Sequence, residues 1–159
     1  ETVTLTLQPS PHYTLSAVNH ATVFLHDQPV DGWRFANFTS TELTHPAISG
    51  DLADPDADGL ANLMEYALGR SPKTPDLNPF NPRMENDHFT LTYTRLKSAL
   101  DVGLALDTCT SLGSWDSNPA LFEPVSCIDE SSVQRITVRL TAPASSSVTS
   151  YVRLRVSRF

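Results

Sequence analysis

The chain has 159 residues and a formal net charge of −7, with 40% of residues hydrophobic, 18% charged and 8% aromatic. That length suits one ordinary domain or two small ones with a modest core. Twelve prolines and 34 serines and threonines against two lysines favour strands and turns over a helix bundle, and no apolar run reaches the roughly 18–20 residues of a membrane span.

Residues 1–29 predict an N-terminal β-hairpin. Thr2 to Gln8 alternates, with Val3, Leu5 and Leu7 on one face and threonines on the other, until Pro9 and Pro11 break it. Ala21 to His26 alternates again, with Ala21, Val23 and Leu25 opposite Thr22, Phe24 and His26. An isolated hairpin is barely stable in water. These strands are therefore expected to complete a sheet made by something else, with Val3, Leu5, Leu7, Val23 and Leu25 as the assembly face. The chain opens on Glu1 without a charged-then-apolar leader, so any signal peptide is expected to have been removed or to lie outside it.

Residues 30–82 read as a connector. Trp33, Phe35 and Phe38 supply most of its apolar mass, and Thr39 with Glu42 three residues later has the form of a capping box. An acidic stretch, Asp51 to Asp58, leads into a short helix, Asn62 to Leu68, with Gly69 placed as its C-terminal cap. Pro72, Pro75, Pro79 and Pro82 give residues 70–82 the chemistry of a linker.

Residues 83–159 predict a β-sandwich. Phe89, Leu91 and Tyr93 alternate with threonines, and Val102, Leu104 and Leu106 repeat the pattern. Phe122 to Cys127, Ile136 to Leu140 and Val152 to Val156 follow at sandwich-like spacing, and Ala144–Ser147 reads as a turn. In the last two strands Arg135, Arg139, Arg153 and Arg155 point outward, and if those strands pair, the four share one face. All 18 acidic residues lie between Glu1 and Glu130, whereas residues 131–159 carry five arginines and no acid. A chain polarised in this way can attract its own copies end to end or meet an anionic surface. Solvent-facing arginines are common on strands, which is the plainer explanation of any one of them. With a pI near 5.0, nucleic acid is not an expected partner.

One motif carries chemistry. Asp54-Pro55-Asp56-Ala57-Asp58-Gly59-Leu60-Ala61-Asn62-Leu63-Met64-Glu65 fits a twelve-position calcium loop. Calcium is a hard cation that takes six to eight oxygens. Asp54, Asp56 and Asp58 would ligate through carboxylates, Leu60 through its carbonyl, Asn62 directly or through water, and Glu65 through both oxygens. Gly59 falls where the loop turns sharply. The alternative is a solvated acidic turn that caps the helix through Asp58, but that many carboxylates would repel one another without a cation. Pro46, Ser49 and Gly50 precede the loop, so no long entering helix is expected.

Cys109 and Cys127 lack the spacing of a zinc site. Paired, they would close a loop worth roughly 3 kcal/mol on the chain-entropy model and imply an oxidising compartment. Two buried free thiols are the alternative; the disulfide is the expectation. The five histidines are scattered, no GxSxG elbow or glycine-rich phosphate loop occurs, and nothing places Asp101 and Asp107 in a cleft, so no enzyme is expected.

A loop followed by a single helix resembles dockerin-like and thrombospondin type 3-like calcium motifs. The run Asn37-Phe38-Thr39, Pro46-Ala47-Ile48-Ser49-Gly50, Asp54 to Leu60 and Asn62 to Gly69 resembles the C-terminal region of large secreted bacterial proteins of the Verrucomicrobia type. In those proteins such a motif precedes a terminal β-domain. Thr90 to Arg95 and Tyr151 to Val156 are similar to that domain's first and last strands, and Thr2 to Leu7 with Ala21 to Val23 to the last strands of a Calx-β-like sandwich. The resemblance implies an extracellular or cell-surface, non-catalytic structural module. It would be rigidified by Ca²⁺ and would assemble with copies of itself, through strand addition and head-to-tail contacts, or with the rest of a larger surface protein. A carbohydrate-binding module of a secreted hydrolase is the alternative, which an exposed row of aromatics including Trp115, Tyr93 and Tyr151 would favour.

Overall fold

The computed structural model describes residues 2–25, 27–146 and 151–159. Glu1, His26 and Ser147, which the sequence assigns to the chain start, the second strand and a turn, lie outside the described residues. The fold is mainly β with antiparallel sheets.

Alternation produces the hairpin. Strands β1 (Thr2–Thr6) and β2 (His20–Phe24) pair with Val3 opposite Val23 and Leu5 opposite Ala21, and the Thr4 and Thr22 hydroxyls lie 3.1 Å apart on the other face. Val3, Leu5, Leu7, Val23 and Leu25 remain 44–67% exposed. Four short helices follow: α1 (Pro29–Asn37), α2 (Ser40–Leu43), α3 (Pro46–Ser49) and α4 (Asn62–Leu68). The capping box forms at α2, where the Thr39 hydroxyl accepts from the Glu42 N–H and the Glu42 carboxylate accepts from the Thr39 N–H at 2.7 Å. Gly69 ends α4 at φ 72°, in the left-handed region. A Cβ there would also sit 2.7 Å from Val133 Cγ1, so both conformation and space call for glycine.

Strands β3 (Asn81–Glu85), β4 (His88–Leu96), β7 (Val133–Leu140) and β6 (Phe122–Glu130) form one sheet in that spatial order, while β5 (Val102–Cys109) pairs with β8 (Tyr151–Arg158) in another. β3 is absent from the sequence reading, which takes residues 70–82 as linker on their prolines. An edge strand tolerates proline because one row of its N–H groups faces away from the sheet. Both edges of the larger sheet carry one, Pro82 in β3 and Pro124 in β6, the latter beside a register shift. Asn86 and Asp87, both at positive φ, make the two-residue turn from β3 into β4.

Two apolar clusters hold these elements. One joins Val30 of α1 and Leu63, Tyr66 and Ala67 of α4 to Ala99 and Val102. The connector and the strands therefore share a core. Asp101 reinforces it, accepting from the Val30 N–H at 3.0 Å and the Tyr66 hydroxyl at 2.5 Å. In the other, Leu91, Tyr93 and Val138 of the four-stranded sheet meet Leu104, Leu106 and Leu154 of the two-stranded one.

Two expectations are corrected. β7 and β8 do not pair, so Arg135 and Arg139 lie on a different sheet from Arg153 and Arg155. Equal alternation marks both as strands but carries no information on partners. The expected Cys109–Cys127 disulfide does not form: both thiols are free, Cys109 buried at the end of β5 and Cys127 exposed on β6 of the other sheet. Sequence separation fixes only the loop a bond would close, not whether two sheets bring the sulfurs together.

Candidate metal centre

The loop before α4 is drawn tight by its own backbone. The Asn62 N–H donates to the Ala53 carbonyl at 2.8 Å and the Leu63 N–H to that of Asp51 at 3.0 Å. Ala57 and Gly59 take positive φ, 60° and 93°, which curls the chain between them. Gly59 has open space where a Cβ would go, so conformation alone selects glycine there.

This curl points carboxylates inward. Asp54 accepts from the Gly59 N–H at 2.9 Å, Asp56 from the Asp58 N–H at 3.3 Å, and Asp58 from the Leu60 N–H at 2.7 Å. In Asp54 and Asp56 the bond spends one oxygen on holding the loop and leaves the other for a ligand, whereas Asp58 takes backbone bonds on both oxygens. One carboxylate oxygen from each of Asp54, Asp56 and Asp58 lies within 4.8 Å of the others, and the same holds for Asp58, Glu65 and Asp76. Two oxygens on opposite sides of one Ca²⁺ at about 2.4 Å would be about 4.8 Å apart, so each group is compact enough to share an ion.

Glu65 is the decisive residue. It is 0% exposed, and neither of its carboxylate oxygens has a hydrogen-bond partner. Asp56 Oδ2 and Asp76 Oδ2 are likewise buried without partners. Burial, and then the charges of Asp56, Asp58, Asp76 and Asp54, push the Glu65 carboxyl up to about 8. Burial is also the main cause that raises Asp56. A buried carboxylate normally finds a donor or a cation, because desolvation without either costs several kcal/mol. The donor set is all hard oxygen, with no thiolate or imidazole, which suits calcium over zinc or copper.

The structure brings Asp54, Asp56, Asp58 and Glu65 together. Asn62 donates through Nδ2 to the carbonyls of Ile48 and Gly50, both at 2.8 Å, which ties the loop to the end of α3, and its Oδ1 is buried without a partner. Leu60 contributes its N–H to Asp58 and borders an apolar groove. Asp76, which sequence reasoning misses, arrives from the proline-rich segment, and its N–H donates to Asp58 Oδ2 at 2.7 Å. Its signal is slight, a lone acid between Glu65 and Glu85. Further along, Lys73 reaches Glu42 at 2.7 Å and, with Thr39, holds that carboxyl down at about 2, fastening the same segment to α2.

Each of the five C-terminal arginines meets an acid within the fold. Arg135 pairs with Glu130, Arg139 with Glu123, and Arg158 with Asp51. Arg153 and Arg155 both grip Asp107, at 2.9 and 3.1 Å. Burial would raise that carboxyl, but bonds from Arg155, Arg153 and Ser117 outweigh it and bring it below its usual range. Of the three aromatics singled out for a carbohydrate face, Tyr93 is buried, Arg153 stacks on the Trp115 ring at 4.2 Å, and Tyr151 is exposed. No family model, curated protein or solved structure matches the chain.

Proposed function

We propose that the chain is a non-catalytic, extracellular structural module in which Ca²⁺ locks the acidic loop and α4 onto a β-sandwich. Through its exposed hairpin it joins copies of itself or the rest of a larger surface protein. One observation carries the metal reading: a glutamate with no exposed surface and no partner for either oxygen lies within 4.8 Å of carboxylate oxygens of Asp58 and Asp76, and Asp58 is in turn grouped with Asp54 and Asp56. Asp54, Asp56, Asp58, Glu65 and Asp76 would hold the ion, and the ion would supply the positive charge that these carboxylates lack. Because Asp76 belongs to the proline-rich segment and Glu65 to α4, one cation would fasten three stretches of chain. The arginines are paired within the chain, so the apolar hairpin face, rather than charge attraction, is left as the contact that drives assembly.

Rigidification makes an accessible prediction. Chelation should speed proteolytic cleavage between residues 45 and 80 by roughly tenfold or more, since open forms gain population as ligand binding energy is lost. The β5–β8 pair should keep its resistance in the same digest. Equal cleavage rates with calcium and with chelator would contradict rigidification.

A further inference from the structure

Two apolar surfaces stand open among the described residues. The first is the outer face of the hairpin, where Val3, Leu5, Leu7 and Val23 are 44%, 67%, 61% and 50% exposed. The second is a groove of about 560 Å³ between β8 and the β3–β4 side of the larger sheet. Met64, Phe80, Phe89, Leu91, Leu154 and Val156 line it. Four strands on one side of the core are opposed by only two, β5 and β8, and the groove lies where a strand beyond β8 would sit.

The sheet edges differ in how they are protected. β3 and β6 each carry a proline, which discourages a further strand. The far edge of β5 is met by Asp116, bonded both ways to Thr108 at 3.0 and 2.8 Å. β8 runs eight residues without proline, and its second edge makes no backbone hydrogen bond to another strand among the described residues. Its outward arginines, Arg153 and Arg155, are drawn back toward β5 by Asp107.

We propose that β8 accepts the β1 edge of a second copy's hairpin. This rests on the structural-module reading and names the acceptor that it lacks. Val3, Leu5 and Leu7 recur every second residue, as do the inward-facing Val152, Leu154 and Val156 of β8, so a strand added in register sets one apolar row beside the other. The added hairpin turns β5–β8 into a four-stranded layer and roofs the groove. Charge does not oppose it: among the described residues the charged lining of the groove is Arg153, already paired with Asp107, and residues 2–25 carry no acid, lysine or arginine. Donor and acceptor are different surfaces of each copy, so the contact is heterologous and propagates unless its rotation closes a ring.

The test uses the full chain in calcium. Sedimentation of the wild type should show species growing with concentration, and Leu5→Asp, at an exposed position that the fold does not need buried, should weaken association at least about tenfold. Leu5→Asp keeps its groove. With its methionine methyls labelled, the Met64 signal should therefore shift when unlabelled wild type is added. A wild type that stays monomeric at about 1 mM, or Leu5→Asp associating like wild type, overturns the proposal. So does an unmoved Met64 signal in chains that do associate. The monomeric variant also separates the two readings: a melt indifferent to calcium defeats the metal reading, while assembly is judged on sedimentation and the Met64 signal.

Discussion

Stripping calcium from the chain is expected to lower its melting temperature by about 5–10 °C. At calcium near a hundred times the dissociation constant, binding to the folded state alone stabilises by about 2.7 kcal/mol, and a chain of this size shifts by about 2–4 °C per kcal/mol. Millimolar calcium is needed to reach that ratio if the site has the 10⁻⁴–10⁻³ M affinity of extracellular modules, and less if it is tighter. The effect depends on pH in a defined direction. Without metal, Glu65 ionises near 8 in the folded chain against 4.5 for the free side chain, so the folded state holds the extra proton between those values. Stability of the stripped chain should therefore fall as pH rises from about 4.5 to about 8, and level off above. Calcium, which takes the place of that proton, should remove the decline. A stripped chain that gains stability over the same range would show that Glu65 is not held as described.

Glu65→Gln should reverse the order of stabilities in the two conditions. Glutamine keeps the shape of the side chain, removes the charge and offers an amide to the aspartate oxygens. In chelator at pH 8 and above, the variant should melt higher than wild type, because wild type must bury an ionised carboxylate among Asp54, Asp56, Asp58 and Asp76. In calcium it should melt lower, since a ligand with two carboxylate oxygens is gone. Its calcium affinity should drop by at least the roughly 10–100-fold seen when even supporting partners of metal ligands are removed. Two melts per protein decide the matter. A variant less stable than wild type in both conditions would mean that Glu65 acts through packing alone.

What the sequence makes legible here is local. Alternation locates both hairpin strands and five of the six later ones, because the side-chain period of a strand is a property of the strand itself. Thr39 with Glu42 and the glycine after Leu68 mark helix ends, because capping is settled within a few residues. The loop carboxylates Asp54, Asp56, Asp58 and Glu65 are visible because one continuous segment carries them. Pairing across distance is not encoded in that way. β8 passes over its neighbour in sequence to join β5, and Arg158 meets Asp51 from 107 residues away. The charge segregation so plain in the sequence is thus folded away. Asp76 is hidden because its role depends on where a proline-rich segment lands. Asn62, at the ligand spacing, opens the helix and also anchors it, through Nδ2 bonds to Ile48 and Gly50 that spacing does not announce.

Calorimetric titration of calcium into the stripped full chain near pH 7 bears most directly on the metal centre. At that pH Glu65 of the stripped chain is largely protonated, so binding must expel close to one proton, and the measured heat must vary with the ionisation enthalpy of the buffer. Saturable binding with that buffer dependence is expected in wild type, and both weakened binding and loss of the proton release in Glu65→Gln. Absence of saturable heat in wild type, or the same affinity and proton release in Glu65→Gln, would contradict a calcium site built on Glu65.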